Sequence, residues 1–301
     1  MIDPAFGFES TFLARLERLS LPNRRPMPGP SAGPRRSPHH GASVEFADFR
    51  SYSSGDDFRR IDWNAYARLG RLFLRLYSAE EATTVTLFLD HSTSMRFGEP
   101  SKALAAARFA AIFAYVALQN YDRVAVVGWG ESVDRYVPPQ GGRAVIPQVW
   151  LQIAQIMNAL EAQPASRGTD FAALREFGRF HRGRGLAIVL SDLLTDSDWQ
   201  GGLRALIASG QEVSLAQILA PEEIDPSLRG DWKLRDLESG QEVEVTITPR
   251  LLKRYREEFA AHTSAVREFC RHQSIPYVQL KSDAPVDATV LTSLQTAGLL
   301  G

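Results

Sequence analysis

The chain has 301 residues, of which 44% are hydrophobic, and its 34 basic and 35 acidic residues leave a formal net charge of −1. This balance excludes the broad basic surface typical of nucleic-acid binding, and the length allows one large domain or two smaller ones. A single cysteine, Cys270, excludes an internal disulfide framework, so we expect a reducing, cytoplasmic location. We expect neither a transmembrane segment nor a secretory signal, because no apolar run reaches about 18 residues and the N-terminus lacks a basic region followed by an apolar one.

The first 81 residues divide into three segments of different composition. Residues 1–21 place apolar side chains at helical spacing and predict a short amphipathic helix. Residues 22–43 combine repeated Pro and Gly with clustered Arg, which predicts an exposed linker. Residues 44–81 are dense in aromatic and charged side chains, with a strand predicted near 72–76, and we expect this segment to pack on the core.

From residue 82 to residue 301, apolar strands alternate with helices. Strands are predicted at 84–90, 123–130, 132–138, 185–192, 212–219 and 275–280. Helices are predicted at 101–119, 143–160, 170–181, 198–209, 249–272 and 286–298. An alternating segment at about 231–248, with Ser-Gly at its centre, predicts a β-hairpin insertion. The predicted fold is therefore α/β and doubly wound, with a mostly parallel sheet, a hairpin insertion and an N-terminal extension.

Oxygen-bearing side chains follow the buried strands 84–90 and 185–192. In open α/β sheets, ligands bind outside the carboxyl ends of the strands, so these side chains are expected to lie close together. Carboxylates and hydroxyls form a hard ligand set that suits Mg²⁺. The alternative is that Ser92 or Ser94 caps the helix that begins after Pro100. The predicted metal-binding residues are Asp90, Ser92, Ser94, Thr169 and Asp192.

The order Asp-x-Ser-x-Ser, then Gly-Thr, then a strand ending in Asp resembles the metal-ion-dependent adhesion site of von Willebrand A-like domains. The resemblance implies that the five residues bind Mg²⁺, or Mn²⁺ or Ca²⁺, some directly and some through water. It also implies an open metal position that a Glu or Asp of a partner protein fills. The sequence departs at Leu193, where many A domains have Gly, which leaves the shape of that loop open.

The segment before this domain resembles the signature of the DUF58 family, and the resemblance covers roughly residues 10–298. It implies an adaptor or scaffold with no established catalytic activity. The partner implied is a MoxR-type AAA+ ATPase, acting in the assembly or maturation of a client complex, with membrane-bound A-domain proteins as further candidates. The signature positions are Arg50, Tyr52, Gly55, Asp56, Asp57, Arg59, Arg60, Asp62, Trp63 and Arg68.

Two interpretations of the signature stay open. In the structural interpretation, Arg59, Arg60 and Asp62 pair with Asp56 or Asp57 and hold the segment against the A-like domain. In the other, Trp63, Tyr66 and Arg68 are anchors of a partner-docking surface, since Trp, Tyr and Arg are frequent hot spots of interfaces.

An enzymatic alternative is a Mg²⁺-dependent phosphatase or phosphotransferase of the haloacid dehalogenase type, which also begins with an apolar strand ending in Asp. Such enzymes need a second Asp two residues later as general acid and base, and that position here is Ser92. An activating Lys is also hard to find, because the chain has four lysines. Phosphate-binding glycine loops are absent from the sequence, so we expect a non-enzymatic protein.

Overall fold

The computed structural model describes residues 6–22, 45–53, 58, 61–78, 82–160, 168–236, 241–286 and 288–301. The chain forms two compact units, of which the larger comprises Met1–Pro22 with Thr83–Gly301 and the smaller comprises Asn23–Ala82. The strands are β1 (Glu45–Ser51), β2 (Phe73–Ser78), β3 (Thr84–Asp90), β4 (Arg123–Trp129), β5 (Val133–Gly141), β6 (Gly185–Ser191), β7 (Gln211–Leu219), β8 (Gly230–Arg235), β9 (Glu242–Ile247) and β10 (Tyr277–Lys281). The helices are α1 (Ser10–Leu16), α2 (Trp63–Leu69), α3 (Lys102–Gln119), α4 (Ile146–Ala159), α5 (Ala172–Phe180), α6 (Trp199–Ala208), α7 (Pro221–Ile224), α8 (Pro249–His272) and α9 (Ala288–Thr296).

The larger unit is built on a six-stranded sheet with the order β10-β7-β6-β3-β4-β5. All neighbouring strands pair in parallel except β5, which returns antiparallel to β4 at one edge. The order runs outward from β3 in both directions, which brings the carboxyl ends of β3, β6 and β7 to one edge of the sheet. The predicted doubly wound, mostly parallel fold is confirmed.

Both faces of the sheet are covered, because alternate side chains of each strand point to opposite faces. On one face, Val85, Leu87 and Leu89 of β3 pack in a core that includes α3 and α4. On the other face, Phe88 packs in a second core that includes α5, α6 and α8. Burial on both faces is the reason that β3 is an almost unbroken apolar run.

Helix α3 lies at the centre of the first core and packs against β3. Its cap is Ser101, whose hydroxyl accepts a hydrogen bond from Leu104 N. Among the described residues, α3 is the one helix long and apolar enough to cross a membrane by length and composition, and 83% of that stretch is buried inside the protein. Its Ala-rich sequence therefore matches a central helix packed on every side.

The N-terminal helix belongs to the larger unit. It is shorter than predicted, and Phe12 and Leu16 are buried in the same core as α3. The segment after α1 then meets the end of the chain, where the backbones of Ser20 and Gly301 exchange two hydrogen bonds.

The hairpin insertion is confirmed, and it consists of the antiparallel strands β8 and β9. Helix α8 follows directly, with Pro249 as its first residue and Thr248 as its cap, as expected for a proline that needs no hydrogen-bond partner. The final strand begins at Tyr277 and not at residue 275, because Ile275 N still bonds to Cys270 O of the helix end.

Candidate metal centre

The first loop of the site begins where β3 ends. Asp90 is the last residue of the strand and is fully buried, and its Oδ1 accepts a 2.9 Å hydrogen bond from Ser92 N. The hydroxyl oxygens of Ser92 and Ser94 lie 3.0 Å apart. Neither serine caps α3, since Ser101 does so. The alternative interpretation of these serines as helix caps is therefore wrong.

A second loop brings the hydroxyl of Thr169 to the same carboxylate. Thr169 Oγ1 lies 3.1 Å from both Oδ1 and Oδ2 of Asp90, and Thr169 is buried. Its carbonyl accepts a 3.0 Å hydrogen bond from the hydroxyl of Thr195, which ties this loop to the one after β6. Residues 79 positions apart in the sequence thus meet at Asp90.

The end of β6 and the loop that follows it supply two neighbouring side chains. Ser191 Oγ donates a 2.6 Å hydrogen bond to Asp90 Oδ2. The carboxylate of Asp192 is engaged elsewhere, because its Oδ2 lies 2.6 Å from Lys102 Nζ and its Oδ1 accepts from Leu194 N at 3.0 Å. Asp192 acts on Asp90 through its charge.

The loop after Asp192 has the shape that a glycine would favour. Leu193 has a φ of 57°, in the left-handed region that non-glycine residues seldom adopt. Its amide donates to Ser191 Oγ, and its side chain is fully buried. Leu193 therefore adopts the left-handed turn that a glycine would adopt at this position. Burial of the leucine side chain offsets the strain of its backbone.

Buried charge defines the electrostatics of the site. Burial raises the pKa of the Asp90 carboxyl, and the nearby charge of Asp192 raises it further, whereas the hydrogen bond from Ser191 lowers it. For Lys102, burial lowers the pKa, but the carboxylates of Asp192 and Glu223 outweigh it and hold the pKa above its ordinary value. A cation bound beside Asp90 would stabilise the ionised form of its carboxyl and so offset the free-energy cost of burying that charge.

The hydroxyls are essential to any metal binding here. In the described part of the chain, no group of three or more His, Cys, Asp or Glu side chains is arranged to hold a metal ion. The oxygens that do converge are the carboxylate of Asp90 with the hydroxyls around it, an oxygen-only set that fits a hard cation such as Mg²⁺. The residues therefore fit the predicted metal, provided that hydroxyls serve as ligands.

Three contributors to the site were missed by sequence reasoning, namely Ser191, Lys102 and Glu223. Ser191 has a detectable signal, because it precedes Asp192 at the end of a buried strand. Lys102 has a weaker signal, because it is a charged residue in the first turn of a helix that is otherwise mostly apolar. Glu223 has none, since it lies in the short helix α7 and reaches Lys102 across 121 residues of sequence.

A family comparison adds to this geometry. A family model described as "Protein of unknown function DUF58" matches residues 48–268. The chain belongs to the DUF58 family. The sheet described above is accordingly the α/β core of a DUF58 protein.

Relatives of this DUF58 protein occur in mycobacteria. An uncharacterized protein of Mycobacterium tuberculosis is 30% identical over 274 residues, which cover 90% of this chain and 84% of the relative. An uncharacterized protein of Mycobacterium avium is 32% identical over 147 residues, or 49% of this chain and 85% of the relative.

Two solved structures resemble the DUF58 chain over 72% of its length. The conserved hypothetical protein BatB from Bacteroides thetaiotaomicron has 13% identity and a TM-score of 0.43, with 98% of that chain covered. An aerotolerance-related membrane protein from Bacteroides fragilis has 14% identity and a TM-score of 0.41, also with 98% covered.

The DUF58 signature lies in the smaller unit, where β1 and β2 form an antiparallel pair. The Asp62 carboxylate accepts hydrogen bonds from Asn64 N and Ala65 N and so caps α2. In the same helix, Trp63 and Tyr66 are exposed and their rings meet edge to face, which is compatible with the docking interpretation.

The predicted ion pairs of Arg59 and Arg60 stay a prediction. The signature residues Gly55, Asp56, Asp57, Arg59 and Arg60, and the side chain of Arg50, lie outside the described part of the chain, whereas Tyr52 and Arg68 lie within it.

Proposed function

We propose that this DUF58 protein is a non-enzymatic adaptor that uses a divalent cation, Mg²⁺ or alternatively Mn²⁺ or Ca²⁺, to hold a carboxylate of a partner protein. One observation carries the proposal: the fully buried carboxylate of Asp90 accepts hydrogen bonds from the hydroxyl of Thr169 in a second loop and from that of Ser191 at the end of β6. When bound, the cation supplies an open coordination position for an oxygen of the partner.

The residues have separate roles in this proposal. Asp90 supplies the charged ligand, and Ser92, Ser94 and Thr169 supply neutral oxygens beside it. Asp192 adds a negative charge beside the site, where its carboxylate accepts hydrogen bonds from Lys102 Nζ and Leu194 N. Because most of these ligands are neutral, we expect the cation to bind weakly and to keep some of its waters. An oxygen of the partner protein can then replace one of those waters.

The proposed partner is a MoxR-type AAA+ ATPase, with membrane-bound A-domain proteins as further candidates. Membership of the DUF58 family supports this choice, since the family resemblance implies an adaptor beside such an ATPase. We propose that the pair acts in the cytoplasm in the assembly or maturation of a client complex. The partner would contribute a Glu or Asp side chain.

The test is a calorimetric titration of the full chain with MgCl₂ and with MnCl₂. Asp90→Asn keeps the shape of the side chain and removes its charge, so binding should disappear. Asp170→Ala is the matched control, because Asp170 is an exposed aspartate next to Thr169 whose carboxylate accepts only Ala172 N in the described contacts. No heat with the wild type, or equal heat with Asp90→Asn, would contradict the proposal.

A phosphatase or phosphotransferase of the haloacid dehalogenase type is the second candidate, and one observation favours it. The chain has four lysines, and one of them, Lys102, lies with its Nζ 2.6 Å from Asp192 Oδ2 at the site, where an activating lysine would be needed. The missing acid and base is still Ser92, which is why the adaptor is preferred. Hydrolysis of p-nitrophenyl phosphate that is lost in Asp90→Asn would favour the enzyme, and we expect no such turnover.

A further inference from the structure

Lys102 is a charged side chain in a position where a charge is costly. It is the first residue of α3, is fully buried, and is followed by a helix of almost wholly apolar residues. A buried ammonium is tolerated only when it is paired. Lys102 Nζ lies 2.6 Å from Asp192 Oδ2 and 2.5 Å from Glu223 Oε1, so it is paired twice.

Glu223 is itself fixed from both sides. Its second carboxylate oxygen accepts a 2.8 Å hydrogen bond from Ala220 N, and its carbonyl accepts a 2.6 Å hydrogen bond from the hydroxyl of Tyr255. The ammonium of Lys102 therefore joins the loop after β6 to the segment after β7. This arrangement is a rigid pairing, and not the chance approach of two mobile side chains.

The ammonium lies beside the candidate site without filling it. Within the described contacts, Lys102 Nζ bonds to Asp192 and Glu223 and makes no hydrogen bond to Asp90. The hydroxyl partners of Asp90 come instead from Thr169 and Ser191. In the described contacts, the oxygens of Asp90 therefore bond to neutral donors and not to the ammonium of Lys102.

Lys102 determines the charge that such a cation meets. With Asp90, Asp192 and Glu223 ionised, three carboxylates face one ammonium, which leaves a net charge of −2 in a largely buried cluster. A divalent cation balances this charge. Without the lysine the cluster would carry −3, which suits a trivalent cation better, because the attraction grows with the product of the charges.

We propose that Lys102 is the residue that makes this site selective for divalent over trivalent cations, by neutralising one carboxylate of the cluster. This inference rests on the proposed cation site at Asp90. Lys102 acts through its charge and not as a ligand of the cation.

The test compares the affinities of the full chain for Mn²⁺ and Tb³⁺ by calorimetry, in the wild type and in charge variants. Lys102→Met should raise the affinity for Tb³⁺ relative to Mn²⁺ by about tenfold or more, given the Coulomb energy of one added charge in a partly buried site. Glu223→Gln should move the ratio in the opposite direction. The double variant Lys102→Met/Glu223→Gln restores the net charge of −2 and should restore the wild-type ratio.

Lys253→Met is the matched control, because it removes a lysine whose side chain is 78% exposed and lies in α8. It should leave the ratio unchanged. An unchanged ratio in Lys102→Met, or a shifted ratio that the double variant does not correct, would overturn the role of Lys102. If Lys102→Met does not fold, Glu223→Gln decides, and no fall in the ratio would overturn the inference. Absence of Asp90-dependent binding of either cation in the wild type would overturn both the site and this inference.

Discussion

Ser191 Oγ donates a 2.6 Å hydrogen bond to Asp90 Oδ2 and so joins the ends of strands β6 and β3 at the candidate cation site. Both side chains are fully buried. A short bond to an ionised, buried acceptor is among the stronger hydrogen bonds in a protein. Ser191 is therefore expected to stabilise the fold as well as the site.

Ser191→Ala should lower the free energy of unfolding by about 1–3 kcal/mol, because Asp90 would lose a partner while staying buried. The measurement is urea unfolding in EDTA. Ser214→Ala in β7 is the matched control, since Ser214 is also buried but makes no hydrogen bond to Asp90 in the described structure. Equal losses in the two variants would show that the bond from Ser191 contributes nothing particular.

Thr169→Val should weaken Mn²⁺ binding by about 10–100-fold, because valine keeps the shape of the side chain but removes the hydroxyl beside Asp90. Thr169→Ser keeps the hydroxyl and should stay close to the wild type. Calorimetry with Mn²⁺ measures both. If valine binds Mn²⁺ as the wild type does, Thr169 is a structural neighbour and not part of a cation site.

Binding of a MoxR-type AAA+ ATPase should depend on the cation, since the proposed contact passes through the metal to a carboxylate of the partner. A pull-down of the ATPase with the wild type should lose most of its yield in EDTA and recover it when Mg²⁺ is restored. Asp90→Asn should show low yield in both buffers. Identical recovery with and without EDTA would argue against a bridging metal.

Alkaline pH should destabilise the protein through Cys270. Burial raises the pKa of its thiol from 9.0 to about 12, so the unfolded chain loses this proton first as the pH rises. The contribution to stability is complete below pH 9 and is lost between pH 9 and about pH 12. Tyr277 acts in the same direction, because burial also raises its pKa to about 12.

Urea unfolding of the wild type and of Cys270→Ala between pH 9 and pH 12 separates the contribution of Cys270 from that of Tyr277. The variant loses packing at every pH, but its stability should fall less steeply above pH 9. The thiol should also resist an aromatic disulfide reagent at pH 8 in the folded protein and react after unfolding. Parallel pH profiles for the two proteins would contradict the assigned role of Cys270.

Local patterns were enough to predict most of the fold. An apolar strand buried on both faces reads as an unbroken apolar run, and alternation with amphipathic helices leaves few topologies other than a parallel sheet. The spacing of Asp90, Ser92 and Ser94 is local as well, so their proximity could be predicted. Thr169 could be included because the pair Gly168-Thr169 precedes a predicted helix, lies in sequence between the two strands that end in Asp, and completes the resemblance to the adhesion site.

The partners of the two aspartates could not be predicted in this way. Ser191 and Asp90 are separated by 101 residues, and Lys102 and Glu223 by 121. Which cation neutralises a buried carboxylate depends on how α3 and the segment after β7 pack at the edge of the sheet, and no periodicity encodes that contact. The sequence by itself therefore predicts which oxygen-bearing side chains come together at the end of the sheet. The net charge of that cluster is decided by tertiary packing, because electrostatic energy depends on distance and burial and not on separation along the sequence.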